Sequence, residues 1–401
     1  MEKLGNYWLY SICAGAFCIC IATAGVSVFS VIAFLIGFYV MYKERHFETI
    51  TQNPLTKRIV FFWAMLLLAT AFSTNITGSL NEIWSSYFNC LLPFFLILYM
   101  GKYVNKEKLQ WVLWAGFGSM VVTTAACLWQ YANGDPRPIG LSGHWMYLGG
   151  YYSLFMPLFM IALMDGSLLH TRCQKLVMWA MALFCCAGFI ANNTRGAWLA
   201  VGITAIICTY LLGRSNKKLW VAGILSLIIF SGIVYTVPSF NQRVQTTVYG
   251  VMHITDDVKT VSDERWHIWR GAIGMFQDKP IAGYGLGTFK DVYNGQYKMA
   301  TAEKVDYSHA HNMYLHIASE AGVIGLTGLL VLYLYTLYYG GKLYIRGQSI
   351  YGLIIVSVML SMMLHGLTEW NGRIFRISFM LIAWAYVMAE KDGAINRLKS
   401  R

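Results

Sequence analysis

Apolar residues in this chain are grouped into long uninterrupted runs, unlike the alternating or one-sided patterns of soluble strands and helices. About 20 consecutive apolar residues are enough for a helix to cross the hydrocarbon core of a bilayer. The chain contains about twelve such runs, at residues 7–24, 26–42, 58–73, 84–101, 109–130, 147–166, 175–191, 197–213, 218–237, 313–338, 349–366 and 374–389. The pattern predicts an all-α polytopic membrane protein with about twelve transmembrane helices. The first two runs are short and closely spaced, so the count depends on both being spans.

One polar connection is far longer than the others and divides the chain into three parts. Residues 238–312 form a loop of 75 residues, and loops of this length are usually either functional or disordered. Several Trp, Phe and Tyr side chains in the loop favour a folded structure. We therefore expect spans 1–9 in residues 1–237, a loop subdomain in 238–312, and spans 10–12 with a tail in 313–401.

The distribution of charge predicts the orientation of these parts. Charged residues make up 12% of the chain, against about 25% in soluble domains. Of the 31 lysines and arginines, 19 fall on one side of the predicted spans, together with both termini. By the positive-inside rule that side is cytoplasmic and the long loop is extracytoplasmic. The net charge of +12 thus reflects membrane topology, and no nucleic-acid partner is indicated.

A helix is predicted inside the long loop, over SDERWHIWRGAIGMFQDKP. Ser262 or Asp263 can cap its start, and Pro280 ends it. Arg265 and Arg270 fall at opposite edges of an apolar stripe, so the helix suits either the membrane interface or the surface of the helical bundle. The stripe contains Trp266, Trp269, Ile273 and Phe276. The glycine-rich GYGLGTF at 283–289 neither follows a predicted strand nor opens a helix, so it is no dinucleotide-binding loop. A plain turn is favoured over a backbone turn that approaches a ligand.

Two arginines in the short outer connections are candidates for binding an anion. Arg195 lies on a tight turn and starts a helix, where free backbone N–H groups already attract negative charge. Arg137 lies between two prolines, which limit where its guanidinium can point. The remaining basic residues of these connections are Arg373 and Arg376.

Polar residues are concentrated where the tenth predicted span begins, in SHAHNMYLHIASEAGVIGL. Burying such groups without partners costs roughly 2–7 kcal/mol, so they indicate a functional site at the outer mouth of the span. An ordinary imidazole has a pKa of about 6.5 and can act as a general base. His311 is the candidate, with Asn312 orienting either the imidazole or a sugar. We expect His309 and His316 to be structural or peripheral, and Glu320 to face partly into the membrane.

Two motifs in this chain resemble those of the O-antigen ligases. Arg195-Gly-Ala-Trp-Leu199 is similar to their R-x-x-x-L element. His311-Asn312, followed by nine residues and then Gly322-Val-Ile-Gly325, is similar to their signature H-[NSQ]-x9-G-x-x-[GTY]. The long loop with its helix and Gly-Tyr-Gly segment also resembles their large periplasmic loop.

The resemblance implies a GT-C type glycosyltransferase of the bacterial inner membrane, with both termini cytoplasmic and the active site periplasmic. Such an enzyme moves a polysaccharide from undecaprenyl diphosphate to lipid A-core, and membrane lipids surround it. A polymerase of the same superfamily is the alternative, and a lipid-linked glycan flippase or transporter is a third.

The chemistry of the predicted outer loops favours arginines over a metal ion as partners of the diphosphate. No acidic cluster or His/Cys spacing in the sequence suggests a metal ligand set, so we expect neither a metal nor another cofactor. Guanidinium groups bind phosphate oxygens in pairs and stay charged. We therefore expect Arg195 and Arg265 to hold the diphosphate, with support from Arg137 or Arg270.

Overall fold

The computed structural model describes residues 1–213, 264–298, 306–370 and 372–400, together with Gly232, Asn241, Gln242 and Gln245. Within these residues the chain forms helices and turns and no strand, as predicted. The principal helices are α1 (Glu2–Cys18), α2 (Thr23–Glu44), α3 (Pro54–Thr70), α4 (Ile76–Glu82), α5 (Asn89–Met100), α6 (Lys106–Ala132), α7 (Trp145–Asp165), α8 (Arg172–Asn192), α9 (Arg195–Gly213), α10 (Glu264–Asp278), α11 (Met313–Ile345), α12 (Ile350–His365), α13 (Gly372–Lys391) and α14 (Ala394–Lys399). A π-helical turn, Ile83–Phe88, joins α4 to α5.

Eight helical segments in the described part of the chain are long and apolar enough to cross a membrane. They are α2, the continuous segment from α4 to α5, α6, α7, α8, α9, α11 and α13. Helices α1 and α3 have 17 residues each and α12 has 16. The first two apolar runs are separate helices, while most of the run at 218–237 and the predicted caps Ser262 and Asp263 lie outside the described residues. The number of twelve spans therefore stays a prediction.

Polar side chains at the ends of the apolar runs determine where several helices begin. Asn53 accepts a hydrogen bond from the Leu55 N–H at 2.8 Å, and Pro54 occupies the first helical position of α3. Asn105 caps α6 in the same way, and Thr171 forms a capping box at the start of α8. Such caps satisfy backbone N–H groups that have no partner inside the helix.

The helices differ in how much of their surface is covered by protein. About four-fifths of the apolar windows of α7 and α13 is buried (78% in each), against 17% for α2 and 22% for α8. Apolar side chains on these outer helices, such as Leu35 on α2 and Leu183 on α8, are exposed. A surface of this kind is stable only against lipid. Helices α7 and α13 therefore form the interior of the bundle, and α2 and α8 its periphery.

The helix predicted in the long loop is present as α10, but its buried face differs from the predicted stripe. The buried side chains of α10 include Ile268, Ala272 and Met275, which pack against Phe289 and Tyr293 in the following segment. The predicted stripe lies about a third of a turn away, and its Ile273 is 37% exposed. Contact of this stripe with the membrane interface stays a prediction.

The glycine-rich segment after α10 is more than a plain turn, because it packs directly against the backbone of α11. Helix α11 is interrupted at Gly322, which has φ 60° and ψ −159°. There the N–H of Gly285 donates to the Glu320 carbonyl at 2.8 Å, and the N–H of Val323 donates to the Pro280 carbonyl at 2.8 Å. A Cβ on Gly322 would lie 2.3 Å from the Ile281 carbonyl oxygen. Residues 280–285 are thus fixed to the first part of α11, next to the histidines that precede it.

Candidate active site

His311 lies at the start of α11 in an unusual backbone conformation. Its φ is +48°, a left-handed value that is uncommon outside glycine and often found at functional positions. The next residue, Asn312, caps α11 by accepting hydrogen bonds from the N–H groups of Tyr314 and Leu315, both at 3.0 Å. This cap holds the His311 side chain at the mouth of the helix, where it is 27% exposed.

Glu369 accepts a hydrogen bond from His311 and is the main partner of that imidazole. His311 Nδ1 lies 3.2 Å from Glu369 Oε1 and 3.1 Å from Oε2. Because a carboxylate can only accept, Nδ1 must carry the proton of this hydrogen bond. In the neutral imidazole the other nitrogen, Nε2, is then left with a lone pair that can take a proton from a substrate.

The turn that carries Glu369 is attached to the start of α11. The Met313 N–H donates to the Gly366 carbonyl at 2.7 Å, and Asn312 Nδ2 donates to the Leu367 carbonyl at 3.0 Å. Burial alone would raise the pKa of the Glu369 carboxyl, but the hydrogen bond from His311 and the positive charges nearby lower it below its ordinary value overall. The carboxylate therefore stays ionised although its side chain is only 4% exposed.

Asn312 is buried, and both groups of its amide are used within the protein. Its oxygen caps α11 and its nitrogen holds the Leu367 carbonyl. Neither group contacts the His311 imidazole in these hydrogen bonds, so both roles expected from the sequence, orienting the imidazole and binding a sugar, stay predictions.

His309 lies directly beside His311, so of the two expected roles, structural or peripheral, the geometry is compatible only with the structural one. The two ring centroids are 4.2 Å apart, and His309 Nδ1 is 3.7 Å from Glu369 Oε1. Burial, helped by the neighbouring His311, lowers the pKa of His309 to about 4. His309 Nδ1 accepts the His311 backbone N–H at 3.3 Å, so its proton is on Nε2. The two histidines therefore have opposite tautomers.

Arg265 and Arg195 both lie close to the histidine cluster, which consists of His309, His311 and Glu369. The positive charge of Arg265 contributes to lowering the pKa values of His309 and Glu369, and its guanidinium contacts the Met146 sulfur at 3.7 Å. Arg195 is the first residue of α9. The residue after it, Gly196, packs so closely on Thr368 that a Cβ would lie 2.0 Å from the Thr368 hydroxyl oxygen. The start of α9 thus lies against the turn that carries Glu369.

The two supporting arginines differ in their surroundings. The Arg137 guanidinium lies over the Trp145 ring at 4.6 Å. Burial and, to a smaller extent, the charge of Arg137 lower the pKa of His144, the residue that caps α7. Arg270 is exposed, about 140° around α10 from Arg265. Among the described residues, no hydrogen bond or ion pair joins Arg270 to the histidine cluster. Arg137 thus packs against Trp145 while Arg270 is exposed, and which of them supports the diphosphate stays a prediction.

Glu320 and His316 form a separate buried pair on α11. His316 Nε2 lies 3.5 Å from Glu320 Oε2, and their side chains are 7% and 1% exposed. Glu320 Oε1 accepts the Phe289 N–H at 2.8 Å, which ties the loop to α11. His316 packs between Phe289 and Trp370. Both residues thus connect the loop to the bundle, and within the described residues no hydrogen bond or ion pair joins either of them to His311.

His309, His311 and Glu369 could also hold a metal ion. One ligand atom from each of these side chains lies within 4.8 Å of the others. Residues 311 and 369 are 58 positions apart in the chain, so the spacing of ligands in the sequence could not reveal this arrangement. The hydrogen bond from His311 to Glu369 accounts for the same arrangement of the two side chains.

Glu369 was missed by the sequence-based prediction, although one signal for it was present. It is an acidic residue in the short connection between the last two apolar runs, beside Arg373. A carboxylate at the edge of a span is a functional candidate by default.

Comparison with known proteins points to one family. A family model described as O-antigen ligase matches residues 180–330, which include Arg195, Arg265 and His311. The chain is 26% identical to an O-antigen ligase of Salmonella typhimurium over 292 residues, which cover 70% of each protein. It is also 24% identical over 175 residues to a Rickettsia conorii protein described provisionally as a polysaccharide ligase, covering 41% of this chain and 38% of that protein.

Proposed function

Because this chain belongs to the O-antigen ligase family, we propose that it transfers a polysaccharide from undecaprenyl diphosphate to lipid A-core. The reaction takes place at the periplasmic face of the bacterial inner membrane. Both substrates are lipids, which is consistent with a reactive histidine at the mouth of an apolar helix.

The hydrogen bond between His311 and Glu369 is the observation that carries this proposal. The carboxylate holds the proton on His311 Nδ1, so Nε2 accepts the proton of the acceptor hydroxyl as its oxygen attacks the anomeric carbon of the donor. The bond from that carbon to the diphosphate oxygen breaks, and undecaprenyl diphosphate leaves with the bonding electrons. A buried carboxylate orients the imidazole of the Ser-His-Asp triad in the same manner.

Negative charge grows on the diphosphate as the bond breaks, and arginines stabilise it. Arg265 lies within electrostatic range of the cluster, and Arg195 starts a helix that packs against the Glu369 turn. Two guanidinium groups and the N–H groups at the start of α9 provide several donors to phosphate oxygens. This arrangement supports a metal-independent reaction.

His309 is a weaker candidate for the general base than His311. Its Nδ1 accepts a backbone N–H, so the proton on Nε2 makes that nitrogen a hydrogen-bond donor. His309 can therefore hold a substrate oxygen but cannot take its proton in this tautomer.

The lipopolysaccharide pattern of a deletion strain tests the function. Loss of all long chains, with full-length glycan accumulating on its lipid carrier, is expected for a ligase. A core that carries single repeat units would instead identify the polymerase of the same superfamily, and an unchanged pattern would exclude both.

Complementation of that strain with variants tests the site. We expect His311→Ala to reduce transfer by about 10²–10⁴-fold and Arg195→Ala or Arg265→Ala by about 10²–10³-fold, at normal protein levels on immunoblots. His170→Ala is the control, because His170 is an exposed histidine just before α8, on the predicted cytoplasmic side. Normal transfer by His311→Ala would contradict the general-base mechanism.

A further inference from the structure

A second cationic region lies beside the histidine cluster, in a cavity that the reaction described above does not use. The cavity has a volume of about 490 Å³, within the range of about 300–1,000 Å³ found for small-molecule sites. It lies between α2, the π-helical turn and α13. Its polar lining consists mainly of Ser27, Ser30, Ser85, Ser86, Tyr147, Tyr151, His309, Arg373 and Arg376.

Arg376 is the unusual member of this lining. It lies in the first part of α13, an apolar helix that qualifies as a membrane span, where an ionised side chain is costly and usually functional. Its Nε is buried and has no hydrogen-bond partner within the described residues, and its terminal nitrogen contacts only a weak acceptor, the Cys90 sulfur, at 3.8 Å. No ion pair in the described part of the chain neutralises it. The Arg376 guanidinium therefore has donors that an anion in the cavity could use.

Arg373 lies one turn earlier on the same face of α13 and is held firmly in place. Its guanidinium lies over the Tyr147 ring at 4.3 Å and donates to the Ser142 carbonyl at 3.3 Å. The two arginines therefore line the cavity together, and serine and tyrosine side chains share the remaining lining with apolar ones such as Ile377 and Met380. Guanidinium groups suit a phosphate, and neutral hydroxyls suit a sugar.

The position of the cavity suggests which substrate occupies it. One wall belongs to α2, whose apolar side chains are largely exposed as expected for a helix facing lipid, so a lipid headgroup can enter from the membrane. His309 is one of the residues that line the cavity, and its ring lies 4.2 Å, centroid to centroid, from that of His311. Arg195 and Arg265 are absent from the described lining, so this cavity is separate from the arginines assigned to the donor diphosphate.

We propose that this cavity binds the acceptor lipid through a phosphate group on its sugar headgroup, with Arg376 as the phosphate ligand and Arg373 as its support. The proposal rests on the proposed function, because it assigns the second of two lipid substrates to a second cationic site. A phosphate held by Arg376 positions the headgroup so that an attached sugar hydroxyl extends past His309 to His311.

Steady-state transfer by the purified full-length protein tests this assignment, with each lipid varied while the other is saturating. Arg376→Gln removes a charge-assisted hydrogen bond, which corresponds to a rise in the KM for the acceptor of about ten- to hundredfold. The KM for the donor and the kcat are expected to stay within about twofold. Acceptor treated with phosphatase should raise the KM of the wild-type enzyme by the same factor and leave that of Arg376→Gln unchanged.

Two further variants distinguish a specific loss of acceptor binding from a general loss of folding. Ser30→Phe places a bulky ring in the cavity from the lipid-facing helix α2 and should also raise the KM for the acceptor. Arg58→Gln, which removes an arginine that lies over the Tyr335 ring at 3.8 Å, is the matched control and should change neither KM.

The possible outcomes separate this inference from the proposed function. A rise in the KM for the donor instead would assign the cavity to the donor and overturn the proposal, as would no change in either KM. If the wild-type protein transfers no glycan, the proposed function fails. Binding of phosphorylated and dephosphorylated acceptor to wild-type and Arg376→Gln protein in nanodiscs then decides the cavity's role: phosphate-dependent binding lost in Arg376→Gln supports a phospholipid-like ligand, and equal binding contradicts it.

Discussion

Replacing Glu369 by glutamine tests the central contact of the active site with almost no change in volume. The carboxylate accepts hydrogen bonds from His311 Nδ1 and from the Trp370 N–H, both at 3.1 Å. An amide can satisfy the Trp370 N–H with its oxygen, but its NH₂ group then faces Nδ1. That contact favours the tautomer with the proton on Nε2, which cannot accept a proton from a substrate.

The size of the effect follows from the role of the tautomer. In the Ser-His-Asp triad, the carboxylate-to-amide change lowers kcat by about 10⁴-fold. We expect Glu369→Gln to lower kcat by about 10³–10⁴-fold, which is equivalent to about 4–5.5 kcal/mol of transition-state stabilisation. The KM values should change little, because in the proposed mechanism Glu369 acts through the tautomer of His311. Glu369→Asp keeps the charge on a shorter side chain and should recover part of the activity.

The assay is transfer from lipid-linked glycan to acceptor by purified protein between pH 6 and 8. Because the pKa of Glu369 lies below its ordinary value near 4.5, the wild-type carboxylate is ionised throughout this range, and no pH within it should restore the glutamine variant. Glu390→Gln is the matched control, since Glu390 is exposed near the other end of α13.

Thermal unfolding serves as the control for folding. A carboxyl group with a lowered folded-state pKa stabilises the protein above its unfolded pKa, and this contribution is lost as the pH falls through the folded value. Any loss of stability in Glu369→Gln should therefore be largest at neutral pH and shrink below about pH 4. Transfer by folded Glu369→Gln within tenfold of wild type would refute the assigned tautomer and with it the role of Glu369.

Four further predictions follow from the same features. Arg265→Lys should recover little of the activity lost in Arg265→Ala, because lysine keeps the charge but lacks the planar fork that binds two phosphate oxygens; equal rates for Lys and wild type in the transfer assay would contradict this. Transfer should survive EDTA, and a loss reversed by a divalent ion would instead make the His311 cluster a metal site. Gly322→Ala should lower the unfolding temperature and the activity, since φ +60° is unfavourable for alanine and its Cβ would meet a backbone oxygen at 2.3 Å; unchanged thermal unfolding would show that residues 280–285 can shift at little cost. In a protein without its native cysteines, Lys259→Cys should react with a membrane-impermeant maleimide in cells with a permeabilised outer membrane and Asn216→Cys should not, and the reverse pattern would overturn the assigned orientation.

The sequence by itself determined the class of the protein, because the relevant signals are local. Long apolar runs have few stable environments other than lipid or a protein interior, and eleven of the predicted runs coincide with helices in the described residues. Side chains such as Asn53 and Thr171 cap the helix starts through partners two or three residues away. His311 and Arg195 were identifiable because each lies within a short motif and at the end of an apolar run.

Only the tertiary structure decided how those residues are used. Glu369 joins His311 because the turn between α12 and α13 is hydrogen-bonded to the start of α11, a contact between segments far apart in the chain. The cavity beside Arg376 exists because residues of α2, the π-helical turn and α13, which are far apart in the chain, line one space in the folded protein. Glycine is required at 283 and 322 because the two backbones approach each other so closely there that a Cβ would clash. Hydrophobic periodicity specifies which segments are helical, but it contains no information about which helix ends meet, since that depends on side-chain packing and hydrogen bonds formed after the helices associate.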